Sequence, residues 1–279
     1  MKFTSVFILF NAIIVIFLAF VFMVPPLMLG FEEGRAFWRA VWPLALLLAL
    51  ILGGLDAFYV YNRRLLFLLE REDWPALTQY LEQRIFRRGS YASPLVRLLA
   101  NSYLVLADYP AALALENKAA IANPAAVSRN ALIFGSARIL SRNYRAAAHF
   151  FAEQLEPGKG KRRRRPDRPW LELCQGYALL LDGQYESAEE HLNPLARSSA
   201  DGLIAGLAAY FLDEYLLRAL AGQAYEISSA ANEGRERVRK ALPQRAAWDK
   251  ERSNIETEVH GVILSRYLEM AAVWLYGAA

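Results

Sequence analysis

The sequence is poorest in the residues that build reactive centres. Its 279 residues include one cysteine, Cys174, and three histidines, His149, His191 and His260. A single thiol makes no internal disulfide, and three scattered imidazoles give no metal-ligand spacing. There is no glycine-rich phosphate loop, no nucleophile elbow and no histidine pair on one helix face. These absences leave no catalytic residue, metal ligand or cofactor site to name, and the chain reads as a non-enzyme. Cys174 lies in an apolar helical pattern and reads as a small core residue. The histidines read as surface or packing residues of single helices.

Charge is the second scarcity, and it is confined to one end. Up to Asn62 the only charged side chains are Lys2, Arg35, Arg39, Glu32, Glu33 and Asp56, which cancel, so the net charge of +4 belongs to the remainder. Phe3 to Leu29 carries no charge at all. At ~1.5 Å per residue such a run exceeds a hydrocarbon core of ~30 Å. A second apolar run, about 40–61, holds only Asp56, near its end, and is flanked by Trp38, Trp42, Tyr59 and Tyr61, as interfacial aromatics are. The first run is longer than the ~7–15 apolar residues of a signal peptide and no small-residue cleavage site follows it. Residues 1–62 are therefore expected to form a transmembrane hairpin, with Pro25 and Pro26 ending or kinking its first helix and a loop over roughly Gly30 to Arg39. Arg63, Arg64 and Arg71, with Lys2, outweigh the arginines of that loop, which predicts an integral protein of a plasma (bacterial inner) membrane with both termini and the rest of the chain in the cytoplasm.

Beyond the apolar end the sequence repeats. Trp74, Tyr109, Tyr144 and Tyr185 stand in similar surroundings, 35, 35 and 41 residues apart, and the longest interval contains the low-complexity stretch Gly158 to Pro169. Small residues recur 12 positions apart, as Ala100 and Ala112, Gly135 and Ala147, Gly176 and Ala188. That spacing suits two short antiparallel helices whose small side chains meet where they cross. Asp73, Asp108, Asn143 and Gly183 fall where the first helix stops and the second begins.

These residues resemble the tetratricopeptide repeat. That family places a small residue late in its first helix, an aromatic at the start of the second, and another small residue three beyond. Ala100, Tyr103, Tyr109, Ala112, Ala119 and Pro124 match best; Gly135, Tyr144, Ala147 and Phe151, then Gly176, Tyr185, Ala188 and Leu192, form two further units. The first unit departs, with Leu65 and Leu77 at the small positions, and its first helix continues the second membrane run. The period also resembles that of RNA-reading pentatricopeptide repeats, but the small pairs and turn aromatics favour the protein-binding family. The resemblance implies an all-α chain: a hairpin over 1–62, a solenoid over 63–197, and a helical extension over 198–279 whose last helix covers the exposed end of the array.

Two sets of residues stand out as contacts. The basic run Lys159, Lys161, Arg162, Arg163, Arg164, Arg165 and Arg168 puts seven cations in ten residues. It reads as a solvated loop, or as a contact for the anionic leaflet or another polyanion, with nucleic acid the less favoured ligand. On the first helices, Arg97 and Asn101 share one face as a carboxylate grip, Arg129 opens the next first helix, and Tyr177 adds an aromatic surface, or core. The arrangement resembles the carboxylate clamp of some family members, although Ile133 stands where a further asparagine would be wanted. The implied function is a membrane-anchored scaffold or adaptor that binds a protein or peptide through the concave face of its repeats. The alternatives are a structural subunit of a membrane assembly or homo-oligomer, and binding of anionic lipid or nucleic acid through the basic run.

Overall fold

A computed structural model describes residues 3–29, 31–156 and 167–277. Among them the chain is all-α, without a strand. It divides into two compact units, Met1–Tyr80 and Leu81–Ala279.

The first unit begins with α1 (Phe3–Leu29) and α2 (Phe31–Glu70), which pack against each other. Asn11 Nδ2 donates to Asp56 Oδ1 at 2.9 Å and ties the two helices together. α1 continues past Pro25 and Pro26, as helices do where neighbouring groups re-satisfy the freed backbone. The loop expected up to Arg39 is instead the start of α2, because that segment is rich in the helix-favouring residues Glu, Arg and Ala. With 40 residues, α2 is about 60 Å long. Among the described residues the segment Val41–Glu70 is long and apolar enough to cross a membrane, and none of its most apolar stretch is buried. α1 has 27 residues and no charged side chain. Both helices expose large side chains, among them Ile16, Phe17 and Phe20 on α1 and Leu47, Leu50 and Phe58 on α2. α3 (Trp74–Glu82) follows and leads into a π-helical turn, Gln83–Arg87.

The second unit is an array of antiparallel helix pairs. α4 (Ser93–Val105) pairs with α5 (Tyr109–Ala122). α6 (Pro124–Arg129) and α7 (Ala131–Leu140) make a broken first helix that pairs with α8 (Tyr144–Leu155), and α9 (Arg168–Leu181) pairs with α10 (Tyr185–Ser198). A fourth pair in this unit lacks the sequence signature. In it α11 (Gly202–Phe211) passes through a π turn, Leu212–Leu216, into α12 (Leu217–Ala219), and α13 (Ala224–Ala241) returns against α10 and α11. α14 (Arg245–Ile255) and α15 (Val259–Tyr276) complete the chain.

The repeat is built into the backbone of its turns. Glu72, Ala107, Arg142 and Gly183, each two residues before the turn aromatic, are all left-handed, with φ of 53°, 55°, 60° and 78°. The following N–H reaches back to the first helix in every case: Asp73 to Leu68 O, Asp108 to Tyr103 O, Asn143 to Arg138 O and Gln184 to Leu179 O. These are Schellman bonds, which satisfy the carbonyls that a helix end leaves free. Asp73, Asp108 and Asn143 then cap the second helix through Ala76, Ala111 and Ala146 N–H.

The two glycines among the small residues each seat a large side chain. A Cβ added at Gly135 would lie 2.1 Å from Phe151 Cζ, and one at Gly176 would lie 2.8 Å from Leu192 Cδ2. Phe151 and Leu192 each lie 16 residues on from their glycine, and Ala112, Ala147 and Ala188 are fully buried. Bulk fits into the glycine notch because close packing needs a large group opposite a missing one.

The common turn geometry predicts opposite effects for opposite substitutions. Ala107→Gly relieves a left-handed alanine and should raise unfolding stability by up to about 1 kcal/mol, whereas Gly183→Ala should lower it by about 1 kcal/mol or more. Urea unfolding of the full chain in detergent checks both.

Candidate functional site: the first-helix face and its resident helix

The first helices α4, α7, α9 and α11 lie side by side, each against the next. Their free face is where the sequence places partner contacts, and α15 lies across it. α15 packs on α7, α11 and α14, and its rings reach α9. His260 faces Trp170 with centroids 4.4 Å apart, and Tyr267 stands edge-on to Tyr177 at 5.3 Å. Both steps are seven residues, so α9 and α15 run alongside each other in the same sense. Tyr177 also stacks on Phe211 at 5.4 Å and 16°, and Tyr267 meets Phe211 edge-on. One heptad further, Trp274 meets Tyr210 and its Nε1 donates to Asp213 Oδ2 at 2.7 Å. Asp213 reaches it from the π turn, a departure from regular helix that is frequent where side chains must be re-aimed.

This position corrects the expectation for the last helix. It does not simply cover the end of the array, because a ring or imidazole every seventh residue gives it a stripe matched to Trp170 and Tyr177. The buried side of α15 is His260, Leu264, Leu268, Ala271, Ala272 and Leu275. Its joint with α14 is tight: a Cβ on Gly261 would lie 1.9 Å from Ile255 O. Arg245 and Arg252 of α14 both bind Glu269, and Arg235 Nη2 donates to Trp274 O at 2.6 Å while standing over its ring.

The residues singled out from sequence have separate fates. Arg97 grips a carboxylate, but that of the chain itself: its Nη2 is 2.7 Å from Glu258 Oε2, just before α15. The pair stays open to solvent, with side chains 51% and 44% exposed, so it contributes at most about 1 kcal/mol and acts more on selectivity than on strength. Asn101 lies one turn along α4, and its buried Oδ1 accepts no hydrogen bond. Arg129 is exposed and ends α6 instead of opening a long helix, because Asn130 interrupts the helix there. Asn130 is buried and donates from Nδ2 to Ser93 O and Ala126 O. Tyr177 is core, 6% exposed, and its phenol is held above the usual range by burial and by its hydrogen bond with Tyr267. Lys159, Lys161, Arg162, Arg163, Arg164 and Arg165 lie outside the described residues. Arg168 starts α9 and pairs with Glu172 at 2.8 Å.

Other polar groups have structural partners. Arg138 meets Glu116 with both nitrogens, at 2.6 and 3.1 Å, and lies over the Phe150 ring. This joins α5, α7 and α8. Burial pushes the Cys174 thiol up to about 12, which leaves it unreactive in the closed protein. Among the described residues no group of His, Cys, Asp and Glu side chains could hold a metal ion. Glu258 and Tyr267 were not singled out from sequence and His260 was read only as a surface or packing residue, although the heptad His260, Tyr267, Trp274 was a signal for the two rings. A cavity of about 340 Å³ opens beside the ring cluster, lined by Tyr177, Tyr185, Tyr215, Tyr267 and Arg218 among others.

The comparisons with known proteins converge on one family. The family described as "Uncharacterised Treponema protein" matches residues 112–277. The chain belongs to this family. It is also similar to an "Uncharacterized protein" of Treponema pallidum (strain Nichols), with 30% identity over 220 residues, covering 77% of this chain and 67% of the relative. The family match takes in α15 and the first helices it lies on, apart from α4. No solved structure matches the chain.

The buried imidazole gives this site a pH response. Burial holds His260 below its ordinary value of 6.5; Glu258, Asp167 and Asp201 oppose that shift and Arg97 adds to it. The folded chain therefore keeps the ring neutral where the unfolded chain already binds a proton. Stability is complete above 6.5 and declines as the pH falls below it, until the folded ring itself protonates. The difference in urea midpoint between the unaltered chain and His260→Phe should grow in favour of the variant from about pH 7.5 to about pH 5.5.

Proposed function

We propose that this protein is a membrane-anchored helical-repeat scaffold that holds a protein partner at the bilayer through its first-helix face. The observation that carries the reading is α2: one continuous helix that leaves its apolar length unburied and ends in the first of four turns of the same build. Exposed apolar surface on this scale is foreign to a water-soluble surface and suits lipid. The turns support the tetratricopeptide reading, since each sets a short antiparallel helix pair of the kind that family stacks into binding arrays.

In this reading α1 and α2 form the transmembrane hairpin, and the Asn11–Asp56 hydrogen bond holds its helices in register where water is scarce. Both termini and the repeats lie in the cytoplasm, where Arg63, Arg64 and Arg71 meet headgroups and the basic run is available to anionic lipid of an inner membrane. The protein holds its partner and does not transform it.

The full chain should stay with membranes through high salt and alkaline carbonate. Protease should reach the repeats only after cells are permeabilised. Leu47→Arg together with Leu50→Arg, each costing roughly 3 kcal/mol at mid-bilayer, should release the chain from the membrane fraction. Release of the unaltered chain by carbonate alone would contradict the anchor.

A further inference from the structure

We propose that the first-helix face beneath α15 is a docking surface for an amphipathic helix of a protein partner, one with a carboxylate just before its first turn, and that α15 is the resident helix such a partner displaces. The inference rests on the scaffold reading and supplies its partner's chemistry.

α15 itself specifies the ligand. Its buried positions 260, 264, 268, 271, 272 and 275 form one stripe of a helix, and it leaves Val262 and Val273 exposed. The covered face offers Trp170, Tyr177 and Phe211, rings of the kind that dominate helix-in-groove binding. At its edge Arg97 reads the carboxylate that precedes the helix. An open ion pair of this type selects the end and direction of a ligand more than it strengthens the complex.

The resident also fits imperfectly. Nε2 of its own His260 and Nε1 of Trp248 on α14 are buried without a hydrogen-bond partner, and each such group subtracts from the closed state. The cavity beside Tyr177, Tyr215 and Tyr267 is left unfilled. A partner helix that fills that cavity, or brings an acceptor to Trp248, has an advantage that a local copy must offset by proximity alone.

The test uses the full chain in nanodiscs and a fluorescent peptide copying Glu256–Tyr276. Leu268 is 1% exposed, and Leu268→Ala in the chain weakens the resident by roughly 30-fold or more. The peptide should then bind about 30-fold more tightly by anisotropy than it does to the unaltered chain, because more of the face is free. Glu258→Arg in the peptide should weaken binding by up to about fivefold, and Arg97→Glu in the chain should restore it. A Leu268→Ala chain that keeps its helical spectrum yet gains no affinity overturns the proposal. So does a rise in mass from exchange of α15 between chains, which assigns the face to a second copy. If Leu268→Ala unfolds the chain, hydrogen exchange on the unaltered protein decides. Amides of α15 should open before those of α9 and α11, and exchange of all three in one global step rules the displacement out. Failure here removes the surface assignment, whereas release from the membrane by carbonate removes the scaffold reading itself.

Discussion

Every helix pair that carries the repeat signature depends on how its first helix ends. The second helix begins almost at once, so the last carbonyls must be satisfied within two residues, and one left-handed residue does this each time. Glu72, Ala107 and Arg142 take that conformation despite having a Cβ, which is unfavourable for an L-residue. Two hydrogen bonds back to the first helix offset it. With the turn fixed, the aromatic that follows always enters at the same point, and the two helices can close on the glycine notches occupied by Phe151 and Leu192. First helices then fall into a row, and the row has a free face.

That face is apolar and aromatic, and such a face does not stay bare in water. α15 covers it by matching ring to ring at heptad spacing along α9. The arrangement turns a repeat array into a closed unit, and it places the chain's own Glu258 in the grip that Arg97 offers. The same contacts that stabilise the fold thus describe what the face recognises. A scaffold with an internal helix on its binding face has its affinity for outside helices set by competition, so a partner has to exceed a threshold to bind.

Much of this was legible in the sequence, for identifiable reasons. Aromatics 35 residues apart mark turns because the turns have one geometry, and the uncharged first run marks helix because nothing in it breaks one. The large side chains that the two glycines seat were not legible. Spacing of 12 suggests that Ala or Gly meets Ala, whereas Gly135 and Gly176 receive the larger side chains that come one helical turn later. The pair α11–α13 was hidden because its first helix passes through a π segment and its turn, Ala221–Gln223, has no left-handed residue. The path of α15 was hidden too, since an amphipathic last helix reads alike whether it caps an end or crosses a face. Tyr177 was seen as an aromatic of interest, but its burial required the ring of Phe211, which comes from a helix with no repeat signature.

Cys174 offers the most direct test of the central claim, that α15 is a separable cover on the first-helix face. It is the chain's only cysteine, and it lies between Trp170 and Tyr177 on the stripe of α9 that faces α15. Its rate of modification by a thiol reagent should rise with Glu258→Arg and depend only weakly on urea, as opening of a single helix does. If Cys174 reacts only with the full urea dependence of global unfolding, and Glu258→Arg leaves its rate unchanged, then α15 is a permanent part of the core and the face beneath it is not a binding surface.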